Sequence, residues 1–298
     1  MKTNEVSFSK THKVNFAKTS KPDFRAAKSK LLNSLLLAAL AFPGAAMAAD
    51  AETTEHKEGI HVIPASAHTF TANVGLVNNY VFRGITQTKD SPALQGGADY
   101  AHASGFYAGI GGSNVSWIIG SGATGNAGLE VDTYAGFKNS FAGDFSYDVG
   151  FVRYNYPGSY TPPATYAKAD TDEIYGALGY KWLSAKYSYA LGQFLTVPGA
   201  SGTSYIEVNA SYPVGDSGVT LGAHFGRQNY RGTFADSLAA AGNTASYSDY
   251  KLGVTKDISG FALGLAYSNT NARKGGYYTY NAKDWGRGAV VLSLTRAF

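Results

Sequence analysis

The sequence predicts an all-β protein: a transmembrane antiparallel up-and-down β-barrel of twelve strands, with short periplasmic turns and long external loops. Three observations carry this expectation. Segments in which apolar residues alternate with small or polar ones recur from Thr69 to Phe298. The connections between them alternate between tight and long. Gly (36), Tyr (22) and Phe (16) are abundant, yet only 15% of residues are charged, against about 25% in an ordinary soluble domain.

The chain opens on a cationic stretch. Residues 1–48 carry eight Lys and Arg against Glu5 and Asp23, whereas residues 49–298 hold seventeen bases and nineteen acids. The basic character therefore belongs to the leader and implies no nucleic-acid partner. An apolar segment follows from Leu31 to Phe42, then Pro43-Gly44, then the small-x-small pattern Ala46-Met47-Ala48. Residues 1–48 are thus expected to be a signal peptide with a long cationic region. The longest uninterrupted apolar run, Leu35 to Phe42, is far shorter than the ~20 residues of a spanning helix. Residues 49–68, polar and holding His56, His61 and His68, are expected to be a flexible periplasmic lead-in. Their histidine spacings match no compact metal-ligand motif. With no Cys anywhere, disulfides, thiolate metal sites and Cys nucleophiles are excluded, and no cofactor is expected.

The barrel is expected over residues 69–298. Phe70, Ala72, Val74 and Leu76 alternate with Thr71, Asn73 and Gly75; Leu129, Val131, Thr133, Ala135 and Phe137 alternate with Glu130, Asp132, Tyr134, Gly136 and Lys138. The same pattern recurs at Phe145–Phe151, Ala185–Leu191, Val219–Phe225 and Phe261–Tyr267. Twelve segments begin near Thr69, Ala93, Gly105, Leu129, Asp144, Glu173, Leu183, Ser204, Gly218, Asp249, Gly260 and Gly286. Tight connections fall at 102–105, 139–144, 182–184, 214–218 and 257–260. Long ones, rich in Gly, Ser, Thr, Asn and Pro, fall at 84–92, 114–128, 155–172, 192–203, 227–248 and 269–285. Six loops and five turns in strict alternation, starting with a loop, are what a twelve-strand outer-membrane barrel requires. A soluble sandwich would place a charged face opposite its core; here one face is aliphatic and aromatic while the other is small, hydroxylated and sparsely charged.

The last segment ends on Phe298 with Leu294, Leu292 and Val290 in phase, a terminal aromatic pattern like the signal read by the outer-membrane assembly machinery. Arg296 departs from that pattern and is expected to snorkel to the interface. The Tyr-rich loops (Tyr156, Tyr160, Tyr166; Tyr277, Tyr278, Tyr280), with Trp117 and Trp285, are expected to supply an aromatic girdle on the outer side, and Trp182 on the inner side.

Catalysis is not expected. His224 is the one His inside a strand, and spacing alone brings no acid to it; Gly109-Ile110-Gly111-Gly112 lies in a strand and is no phosphate loop.

Residues Phe70 to Trp117 resemble the TorF-type porin family of proteobacterial outer-membrane proteins. The shared elements are Tyr80-x-Phe82-Arg83-Gly84, Pro92-Ala93-Leu94-Gln95-Gly96-Gly97-x-Asp99-Tyr100, Ser104-Gly105-Phe106-Tyr107 and Gly112-Ser113-Asn114-Val115-Ser116-Trp117, extended by Glu130-Val131-Asp132-x-Tyr134-Ala135-Gly136. The resemblance implies an outer-membrane barrel with a pore role and transfers no catalytic residue. The expected function is a porin for passive diffusion of small polar solutes, in contact with outer-membrane lipid and lipopolysaccharide. The alternatives are a structural or adhesin-like barrel with a plugged lumen and, third, an outer-membrane hydrolase.

Alternation sends Leu221 and Leu263 to lipid and Gly222 and Gly264 to the lumen. It also gives the candidate pore lining: Arg83, Asp99, Glu130, Asp132, Lys138, Asp148, Lys181, Lys186, Glu207, His224, Lys251 and Arg287. Six bases against five acids, with no ring of one sign, predict weak ion selectivity.

Overall fold

The computed structural model describes residues 66–298, except 273 and 275; the expected signal peptide and nearly all of the expected lead-in lie outside the described residues. The strands are β1 (His68–Val77), β2 (Ala93–His102), β3 (Phe106–Asn114), β4 (Leu129–Phe141), β5 (Phe145–Asn155) and β6 (Thr171–Tyr180). They continue with β7 (Leu183–Ala190), β8 (Ser204–Pro213), β9 (Val219–Asn229), β10 (Tyr247–Ile258), β11 (Phe261–Thr270) and β12 (Ala289–Ala297). Each is antiparallel to its sequence neighbour, and β12 pairs with β1 to close a twelve-stranded barrel. Closure runs from Asn73 opposite Ala297 to Val77 opposite Ser293, and Phe298 exchanges two backbone hydrogen bonds with Ala72. The predicted fold class is therefore the observed one, with no open sheet edge.

Alternation sorts the two faces of the wall. Leu76, Leu94, Ile110, Leu178, Ile206, Leu252 and Leu292 are exposed on the outside, as are Leu221 and Leu263, while Gly222 and Gly264 turn inward. Buried Ser188, Ser211, Thr255, Ser268 and Ser293 lie on the inner face. At one rim the turns are tight. Ser259-Gly260, between paired Ile258 and Phe261, holds successive positive φ angles (55° and 82°), the geometry whose twist suits a two-residue hairpin, and the three-residue loop 142–144 also carries two (45° at Ala142 and 79° at Gly143). Trp182 is exposed there and packs edge-on against Tyr212, where an inner girdle was expected. Arg296, half-buried at the same rim, lies over the rings of Phe261 and Phe298, so cation–π contact holds it there.

At the other rim the loops are packed rather than splayed. Helix α1 (Trp117–Gly120) lies in the second loop and α2 (Gly232–Ala240) in the fifth. Residues Thr124–Gly125 of the second loop pair with Tyr160–Thr161 of the third. Trp117, Ile118, Tyr156, Tyr160 and Trp285 are buried together, with Tyr278 and Tyr280 against them. A second cluster gathers Phe194 and Tyr230 beneath Phe234 and Tyr277. This corrects the expected outer girdle: those aromatic residues, Tyr166 included, pack into the two loop clusters, because rings that face one another remove apolar surface from water without needing a lipid boundary.

Candidate functional site

The first loop, between β1 and β2, folds into the barrel. Its centre is a two-residue hairpin in which Val81–Phe82 pairs with Ile85–Thr86. Arg83 (φ +46°) and Gly84 (φ +76°) form the turn. A side chain on Gly84 would strike Thr270 and Asp249 on the barrel wall, so the tip has no room for one. Here Tyr-x-Phe-Arg-Gly is the apex of a hairpin that presses on the opposite wall. Thr86 N–H donates to Trp285 O, and the N–H groups of Ser116 and Trp117 donate to Gln87 O, so the loops hold the hairpin from behind.

Arg83 braces the tip. Its guanidinium donates to both Glu173 oxygens (3.0 and 2.8 Å) and to Gln228 Oε1 (3.1 Å). It sits 4.4 Å from the Tyr205 ring centroid and 4.8 Å from that of Phe82. Its carbonyl accepts from the Tyr247 hydroxyl at 2.7 Å. Burial is the largest single influence and opposes the guanidinium's charge, but the attraction and hydrogen bonding of Glu173, added to the influence of Tyr154 and Tyr205, raise Arg83 above its ordinary value. At the root of the same loop, Tyr80 donates to Glu130 Oε1 (2.6 Å); burial first, then Glu130, pushes this phenol up.

Around the hairpin the lumen wall carries paired tyrosines and carboxylates. Tyr156 donates to Glu130 (2.7 Å), Tyr134 to Asp99 (2.5 Å), Tyr107 to Asp148 (2.6 Å) and Tyr205 to Asp249 (2.8 Å). Tyr107 is also hydrogen-bonded to Tyr175. Tyr107, Tyr134, Tyr175 and Tyr205 lie over Gly136, Gly109, Gly150 and Gly226 of neighbouring strands, and a Cβ at any of these glycines would overlap the ring. Lys186 lies 4.0 Å from the Tyr175 ring centroid and Lys138 5.1 Å from that of Tyr107. His224 Nδ1 is 2.7 Å from Asn209 Oδ1, and Nε2 is 3.0 Å from both Asp249 Oδ1 and the Tyr205 hydroxyl. Glu207 lies 3.5 Å from His224 Nδ1. Directly below the tip, a small space is bounded by Arg83, Tyr205, Glu207, His224, Asp249 and Lys251.

Of the residues expected to line the lumen, Asp99, Glu130, Asp132, Lys138, Asp148, Lys186, Glu207, His224 and Lys251 occupy inward positions of their strands. Arg83 is inside because its loop folds inward, not because a strand alternates. Two placements differ from expectation. Lys181 is exposed in the β6–β7 turn (φ +53°) beside Asp144. Arg287 is exposed before β12, 2.5 Å from Asp90; that strand starts at Ala289, and Gly286 O accepts a side-chain hydrogen bond from Thr270. Sequence reasoning missed Glu173, Gln228 and Asp249. Asp249 shares the phase of Lys251, a signal that its nearness to a loop obscured. The inward set is four bases (Arg83, Lys138, Lys186, Lys251) and eight acids (Asp99, Glu130, Asp132, Asp148, Glu173, Glu207, Asp249, Asp257), so the expected near-balance becomes a formal excess of four acids.

Comparison with known proteins places this architecture in a family. Residues 61–298 match the family described as "Bacterial protein of unknown function (Gcw_chp)", and the chain belongs to it. No curated protein matches the chain. Among solved structures, the NanC porin is similar at 9% identity and a TM-score of 0.45, over 77% of this chain and 99% of that one. OccD3 (OpdP) of Pseudomonas aeruginosa is similar at 12% identity and a TM-score of 0.38, over 78% of this chain; this chain spans 65% of its length, under two thirds. LpxR from Salmonella typhimurium is similar at 10% identity and a TM-score of 0.35, over 76% of this chain and 99% of that one.

Proposed function

We propose that this protein is an outer-membrane porin of the TorF type, passing small polar solutes through a lumen narrowed by its first loop. The observation that carries the reading is the contrast between the two faces of one closed wall. The outer face presents aliphatic and aromatic side chains; the inner face presents carboxylates, amines, hydroxyls and glycine. Such a wall is stable where lipid lies outside and water inside. In this reading the leader directs export, both termini and the tight turns are periplasmic, and the packed loops face outward. The belt then contacts lipid and lipopolysaccharide, and Phe298 engages the assembly machinery.

The reading assigns no catalysis. The hydrogen-bond partners of His224 among the described residues are Asn209, Tyr205 and Asp249, which leaves no Ser or Thr hydroxyl for it to activate. The second reading, a barrel whose loops do the work above a plugged lumen, draws on the Arg83 brace. Osmotic swelling of liposomes separates the two. A porin makes the vesicles swell in small polar solutes at rates that fall with solute size. Absence of swelling, with loss of adhesion on loop deletion, supports the plugged barrel instead.

A further inference from the structure

We propose that Glu130, Asp132 and Tyr154 form a binding site for a hard divalent cation, Ca²⁺ in the first instance, in the lumen wall beside the inward hairpin. All three are at least 97% buried. Glu130 and Asp132 are successive inward positions of β4, and Asp132 stands directly opposite Tyr154 of β5. Opposed residues on one face of a sheet have Cβ atoms about 4.5–5.5 Å apart. Glu130 takes one hydrogen bond on each oxygen, from Tyr80 and Tyr156. Asp132 Oδ1 and the Tyr154 hydroxyl are buried with no hydrogen-bond partner. Among the described residues, no Lys, Arg or His lies within ion-pair distance of either carboxylate. Arg83 is committed to Glu173 and Gln228.

Two buried carboxylates without a base are costly to keep charged. One shared proton or one monovalent ion neutralises half of that charge; a divalent ion neutralises all of it. The donors are all oxygen, which suits Ca²⁺ or Mg²⁺ rather than metals that seek imidazole or thiolate, and Ca²⁺ tolerates irregular geometry. Because Tyr80 hangs the first loop on Glu130, the same ion ties that loop to the wall.

Terbium luminescence tests the proposal, since Tyr80 and Tyr156 are bonded to a ligand carboxylate and Trp117 packs edge-on against Tyr156, where they can sensitise a bound ion. Protein refolded in detergent with Tb³⁺ should show saturable sensitised emission that Ca²⁺ displaces. Emission should fall about tenfold or more in Asp132→Asn and Glu130→Gln, with β-sheet circular dichroism retained. Should either variant fail to fold, Tyr154→Phe removes one donor oxygen alone and should raise the Tb³⁺ concentration needed for half-maximal emission several-fold. Absence of saturable emission, or equal emission and Ca²⁺ displacement in folded variants and the parent, overturns the site.

Discussion

Replacing Arg83 by Ala removes three hydrogen bonds to buried partners and leaves Glu173, 1% exposed, without its ion-pair partner. Truncating one member of a buried ion pair costs about 3–5 kcal/mol. The barrel's own ladders do not depend on this contact, so the loss falls on the docking of the hairpin against the wall. At a factor of ten per 1.4 kcal/mol, the undocked population should rise by about 10² to 10³ or more. Hydrogen exchange followed by mass spectrometry reads this directly from the amides of residues 81–86. Their protection should collapse in Arg83→Ala while that of β4 to β10 is kept. Removing Glu173 as well should cost less than the two single losses combined, because no unpaired buried charge remains. Unchanged protection at residues 81–86 would show that the loops behind the hairpin, not Arg83, hold it in place.

Gly226→Val should lower the melting temperature, because its Cβ would overlap Tyr205 and meet the Asp249 carboxylate; overpacking of this kind costs about 1–3 kcal/mol, and pairing it with Tyr205→Ala should recover part of the loss. Leu263→Arg should destabilise the barrel refolded into vesicles by about 2–4 kcal/mol in urea titrations, whereas Gly264→Arg escapes the lipid term and should narrow the lumen instead; equal losses would reject the assignment of faces to lipid and water. An epitope in residues 230–246 should be accessible to antibody on intact cells and one in residues 214–218 should not; the reverse pattern would invert the topology.

The barrel was legible in the sequence because the alternation of apolar with small or polar residues and connection length are local signals. Leu129 to Lys138 declares its two faces without reference to any other strand. The lumen was less legible because its contacts join residues far apart in the chain. Arg83 and Glu173 are 90 residues apart, and Arg83 and Gln228 are 145 apart, so no local pattern announces the brace. Tyr205 over Gly226 depends on the register of β8 against β9, which the sequence does not display. Trp117, Tyr156 and Trp285 were expected at a lipid boundary because composition alone cannot tell a girdle from a loop core.

Single-channel recording of the purified protein in planar bilayers tests the channel reading most directly. Discrete conductance steps are expected from the parent protein, and larger steps from Arg83→Ala, whose hairpin should undock from the wall more often. Silence from both proteins, each shown to be folded in the bilayer, would contradict the channel reading.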